Sequence, residues 1–152
     1  MKTLLTTLGV GLLLYGVTEV VARSPISGAK DGVAIQGYDP VAYFTQKSAV
    51  RGSAEQRYEW AGVVWLFSSP ENRELFAAEP AKYAPQYGGH CALSVANGKT
   101  AQGSGEAWTV YKKKLYLNAS TTVQSRWEKD QSKYILWADR EWPQIKAQIE
   151  AE

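Results

Sequence analysis

Apolar positions along this chain fall into three patterns, and each predicts a different kind of element. Leu4 to Val17 is an uninterrupted, uncharged run dominated by Leu, Gly and Val. Alternation follows further on. Arg57-Tyr58-Glu59-Trp60 alternates charged and aromatic residues, and Val63 to Phe67 is β-branched and aromatic. Together they predict a hairpin turning at Ala61-Gly62, with Tyr58 and Trp60 on its buried face. Trp108 to Tyr111 with Leu115 to Leu117 predicts a second hairpin. The tail carries helical spacing: Val123 and Trp127, Tyr134 and Ala138, Ile145 and Ile149 each share a face at i, i+4, with Pro143 expected to break or kink the last stretch.

Punctuation residues divide the rest. Val33 to Gln36 reads as a short strand ended by Gly37, and residues 46–56 as a polar loop. Pro40 restricts Asp39 and makes Tyr38-Asp39-Pro40 a turn. A helix should start where Ser68 meets Glu71 as a capping box, or where Ser69 caps with Pro70 at the first helical position, and Pro80 should end it. Tyr83 to Cys91 is irregular and leads into a strand or helix at Ala92 to Ala96, Asn97-Gly98 is a turn, and residues 102–105 form a Gly/Ser-rich loop. No internal repeat is visible. The order of elements predicts an α+β fold: a small antiparallel sheet of hairpins, interspersed helices and a helical C-terminal tail.

The apolar run has the layout of a secretory signal, with Lys2 in front and two small-residue sites behind, Val20-x-Ala22 and Ser27-x-Ala29. It is shorter than the roughly 20 residues a spanning helix needs, and Glu19 follows it closely. Residues 1–22 are therefore expected to be cleaved, with the cut falling as late as residue 29. An uncleaved anchor and a buried core helix are the alternatives. Residues 23–30 read as a polar linker and 31–152 as one domain, exported to a periplasm or secreted, with no stable membrane insertion after cleavage.

Composition narrows the function classes. Across 152 residues the net charge is +2, too small to imply nucleic acid, and the Lys112-Lys113-Lys114 run reads as a solvated turn. Six tryptophans, all beyond residue 59, and nine tyrosines can fill a small core or line a pocket. One cysteine cannot form an intramolecular disulfide. Cys91 is buried, modified or paired with a second chain.

His90-Cys91 is the one pair with evident chemistry. Thiolate and imidazole together suit a soft metal, a haem iron, or a nucleophile with its base. Adjacent residues in a strand face opposite ways, so a shared site requires Gly88-Gly89 to bend the backbone. If it does, Tyr38, Asp39 and Tyr87 should join His90 and Cys91, with copper the first ligand to expect and haem the second. One sulfur and one nitrogen would be under-coordinated, so weak binding, or a site shared in a homodimer, is expected. The alternative is a buried Cys91 beside a half-exposed His90, with Asp39 capping its own turn. Asn118-Ala119-Ser120 matches a glycosylation acceptor. The absence of a phosphate-binding Gly loop, a His-Glu-x-x-His or a Ser nucleophile motif counts against an enzyme.

GYDPVAYF, YEWAGVVWLF and SSPENRELFAAEPAKYAPQYGGHCA, taken in order, resemble the YHS domain. The shared features are Asp39-Pro40-Val41, a Tyr58-to-Phe67 hairpin, and Phe76, Pro80 and Tyr83 around a helix end. GEAWTVYKKKLYLN and VQSRWEKD are similar to the longer, exported members, so the resemblance spans about residues 31–142. It implies an α+β domain that handles metal, often copper, through paired cysteines. Here the corresponding positions hold Ala42 and Ser68, which are not soft-metal ligands, leaving Cys91, which exported relatives also carry. The resulting expectation is an exported YHS-like module binding a small ligand, a metal ion or haem. The alternatives are a structural protein that docks a partner, favoured by an exposed apolar patch with Cys91 buried, and a thiol enzyme centred on Cys91, favoured by a Cys91–His90 hydrogen bond.

Overall fold

The computed structural model describes residues 22–152. In chain order their elements are α1 (Ala42–Thr45), β1 (Ser53–Trp60), β2 (Val63–Phe67), α2 (Pro70–Ala78), α3 (Pro80–Tyr83), α4 (Ala92–Ala96), β3 (Ser104–Tyr111), β4 (Lys114–Asn118), α5 (Thr121–Glu128) and α6 (Gln131–Ala151). The strands form two separate antiparallel hairpins, β1–β2 and β3–β4. The fold is α+β, as the hydrophobic pattern predicts.

The two hairpins are built to one plan. Each has an eight-residue strand, a two-residue turn and a five-residue strand. Each is bulged near its start, between Ser53 and Arg57 in one and between Ser104 and Trp108 in the other. Both turns hold left-handed residues at both central positions, Ala61-Gly62 (φ 54° and 74°) and Lys112-Lys113 (φ 48° and 63°), as the tight hairpin connection requires. Each hairpin leads into a helix capped by serine. Ser69 accepts from the Asn72 amide at the start of α2, and Ser120 from the Val123 amide at the start of α5. Each helix is then seated on its second strand by aromatic packing. Phe76 lies 5.0 Å from Trp65, and Trp127 lies 5.1 Å from Tyr116.

The duplication extends upstream. Ala34–Gly37 and Gln86–Gly89 are short 3-10 turns with left-handed residues at equivalent places, Ile35-Gln36-Gly37 and Tyr87-Gly88-Gly89. Tyr38 then bridges Arg51, and His90 bridges Gln102. Every strand boundary of the second unit follows its counterpart at one constant spacing: Ser53 to Ser104, Trp60 to Tyr111, Val63 to Lys114, Phe67 to Asn118. The sequence hides this repeat because the shared features are backbone conformations and caps, which different side chains satisfy.

Two buried clusters fill the fold. The first gathers Trp65, Phe67, Phe76, Tyr43 and Ile35 with Leu115 and Leu117 of β4, and so joins the two units; the second gathers Trp127, Tyr116, Val95, Ala138 and Ile145. The long α6 belongs to the second unit and lies against α4.

Four local expectations are corrected. Val33 to Gln36 is not a strand: only Val33 pairs, with Val64, because Ile35 and Gln36 turn left-handed. Strand β1 starts inside the expected polar loop, since pairing resumes beyond the bulge. Pro143 does not end α6, which runs on to Ala151, with Ala138 and Ile145 buried on either side of it. Residues 23–30 are not a linker. Ile26 is only 8% exposed and Ser27 3%, and Ser27 donates its amide to Gly88 and accepts from Ile35. The signal run lies outside the described residues.

Candidate functional site

The segment expected to be a linker forms one wall of a cleft of about 880 Å³. Ile26 to Asp31 line one side and His90, Thr100, Ala101 and Gln102 the other. Gly88 lets the two sides meet. Its φ is +61°, and a Cβ there would run into the Pro25 carbonyl. Beside this contact His90 Nε2 lies 3.1 Å from the Pro25 oxygen. A carbonyl only accepts, so Nε2 carries the proton and donates. Burial lowers the His90 pKa below 6.5, while backbone groups of Pro25 and Ala101 oppose the shift more weakly. The ring is therefore neutral at pH 7 and anchored to the segment it faces.

Cys91, its neighbour in sequence, belongs elsewhere. Its Sγ is 3.6 Å from Asn118 Oδ1, and the residue is 0% exposed. The reason is local: His90 is extended (φ −67°, ψ 156°) and Cys91 (φ −56°, ψ 116°) is the residue that opens α4, so the ring goes to Pro25 while the sulfur goes to Asn118. Gly88-Gly89 does bend the chain, but the bend is spent before His90 is reached.

The other expected site residues are also divided. Asp39, fully buried, accepts from the Val41 and Ala42 amides at Oδ1 and from the Ser68 amide, the Ser68 hydroxyl and Asn72 Nδ2 at Oδ2. It caps its own turn and ties that turn to the start of α2. Positions 42 and 68, which the YHS resemblance marks as frequent cysteines, thus do meet, at a carboxylate whose surroundings are filled by hydrogen-bond donors. Tyr38 donates to Glu106 at 2.7 Å, which raises its pKa, and carries the Arg51 guanidinium 4.2 Å over its ring. It lines a smaller depression of about 280 Å³ that shares Gln102 with the cleft. Tyr87 donates to Asp139 at 2.9 Å, and burial first, then that carboxylate, push its pKa up. Its ring and that of His90 both lie 6.0 Å from Trp142.

The five residues therefore form no common site. Among the described residues no three of His, Cys, Asp and Glu come together as a metal group. The donors expected for copper or haem do not fit such a ligand, since the sulfur is sealed and Nε2 is engaged by a carbonyl. Nor is there a Cys91–His90 hydrogen bond to activate the thiol, and a sealed sulfur cannot bridge two copies. Asn118, fully buried, is no glycosylation acceptor, and Ser120 is occupied as a helix cap. Lys30, Thr100 and Gln102 were missed by sequence reasoning. The apolar Ile26, set among polar neighbours, was the available sign that residues 23–30 are packed.

Comparison of the chain with protein-family models, curated proteins and solved structures finds no match to any of them.

Proposed function

We propose that this is an exported, YHS-like binding module that takes a small polar molecule in the cleft beside His90. The observation that carries the reading is the cleft itself: about 880 Å³, within the size range of small-molecule sites, with the chain's one histidine held neutral on its wall. Lys30, Asp31, Thr100 and Gln102 offer both charges, a hydroxyl and an amide along the same walls. That mixture suits a ligand with donors and acceptors better than an apolar one. Export rests on the sequence pattern of residues 1–22, and the YHS likeness on the motifs spread over about residues 31–142.

The test is a titration of isotope-labelled protein with amino acids, dicarboxylates and sugars, followed by amide chemical shifts. Shifts should cluster at Lys30, His90, Thr100 and Gln102, and disappear in His90→Ala. Shifts confined to another surface, or stoichiometric copper or haem in gently purified protein, would overturn the reading.

A second reading has its own observation. Leu136 is 52% and Trp137 39% exposed on α6 while Cys91 is sealed, which is the combination expected of a protein that docks a partner. Leu136→Ser with Trp137→Ser should then abolish co-purification of that partner without altering cleft binding. Unchanged co-purification would remove this reading.

A further inference from the structure

The sequence offers two processing sites, after Ala22 and after Ala29, and their products differ in what remains of the fold. We propose that the chain is cut between Ala22 and Arg23, and that residues 23–29 stay as a built-in part of the exported domain. The inference rests on the export reading above and adds which bond is hydrolysed.

Four contacts decide between the sites. Ser24 Oγ donates to the Ala61 carbonyl at 2.6 Å, tying the segment to the first hairpin's turn. The Pro25 carbonyl receives His90 Nε2 at 3.1 Å. Ile26, 8% exposed, belongs to the first core, and Ser27 bonds Gly88 at 2.8 Å and Ile35 at 3.0 Å through its backbone. A cut after Ala29 removes all four together with the Ile26-to-Ala29 part of that cleft wall. The buried Gly88 carbonyl and Ile35 amide would lose their partners. A cut after Ala22 removes none of them. Ala22 and Arg23 are both exposed.

The new terminus is also accommodated. The Arg23 nitrogen lies 3.4 Å from the Glu150 carbonyl, in the last turn of α6. Hydrolysis by a signal-peptidase-class enzyme adds one water across the Ala22–Arg23 amide. Ala22 leaves as a carboxylate on the released peptide, and the Arg23 nitrogen takes up protons to become an ammonium. An amide donor is thereby replaced by a cation at the negative end of the helix dipole.

The experiment is expression of the full chain in a secreting host, with intact mass and N-terminal sequencing of the exported protein. Arg23 should be the first residue. A start at Lys30 would overturn this inference while leaving export standing, and a soluble cytoplasmic chain retaining Met1 would overturn both. Pulse-labelling of Ala22→Leu and Ala29→Leu reads processing before folding intervenes. Conversion of precursor should fall at least ~10-fold in Ala22→Leu, because a bulky residue does not satisfy a small-residue site, and should be unchanged in Ala29→Leu. The reverse pattern would overturn the assignment of the bond.

Discussion

The two hairpin units share a backbone plan but differ in the residue that locks each turn to its strand. In the first, Asp39 gathers five donors on one buried carboxylate. In the second, Cys91 follows the equivalent left-handed turn, and its sulfur has one distant partner, Asn118 Oδ1, which also accepts from the Leu93 amide. Asn118 Nδ2 has no partner among the described residues. Asp39 donates its amide to Val50, and Cys91 donates its amide to Ala101, both at 2.8 Å. The comparison teaches that Cys91 holds a structural position. Its counterpart, Asp39, is a turn cap.

Cys91 is backed up by packing, whereas Asp39 works through polar contacts. Next to Cys91, α4 packs on both α6 and β4, and Val95, Trp127 and Ala138 meet in an apolar cluster. The first unit has no long helix, and its turn is held to α2 chiefly through the Asp39 carboxylate.

Removing each lock should affect the two units unequally. Asp39→Ala should lower unfolding free energy by about 3 kcal/mol in denaturant titration, because several buried donors lose their acceptor together. Cys91→Ala should cost only about 1 kcal/mol, the loss of a small buried group. Equal costs would refute the difference between the units. In the native protein Cys91 should also resist a thiol reagent until denaturant unfolds the chain.

The helix caps sharpen the likeness. Ser69→Ala and Ser120→Ala should each cost about 1 kcal/mol, since both remove the same bond to an otherwise unpaired amide. A cost at one cap and none at the other would show that the second unit is held by α6 alone.

The equivalent bridging residues, Tyr38 and His90, should separate by pH. His90 has its pKa lowered by burial, so the folded state binds fewer protons than the unfolded chain between its folded value and 6.5. Stability contributed by the neutral ring is present above pH 6.5 and is lost as pH falls through that window. Denaturation midpoints should therefore decline on acidification below about pH 6.5, and His90→Gln should flatten that decline. Tyr38→Phe should leave it unchanged. An effect of the opposite sign is expected at the second turn, where lysines occupy left-handed positions. Lys112→Asn with Lys113→Gly should raise stability by about 1 kcal/mol, because these residues accept positive φ at lower cost.

By itself the sequence determined what depends on neighbours along the chain. Both hairpins, the Ser69-Pro70 helix start, the helical tail and the Asp39 turn cap follow from alternation, capping residues and proline, all acting over a few positions. Tertiary structure alone decided the site. His90 and Pro25 meet across 65 positions, and Asp39 meets Ser68 across 29. No local pattern announces such meetings, since they depend on where whole elements come to rest. The same distance effect turned an apparent linker into a cleft wall, concealed the duplication behind unlike side chains, and sent His90 and Cys91, adjacent in sequence, to Pro25 and Asn118 respectively.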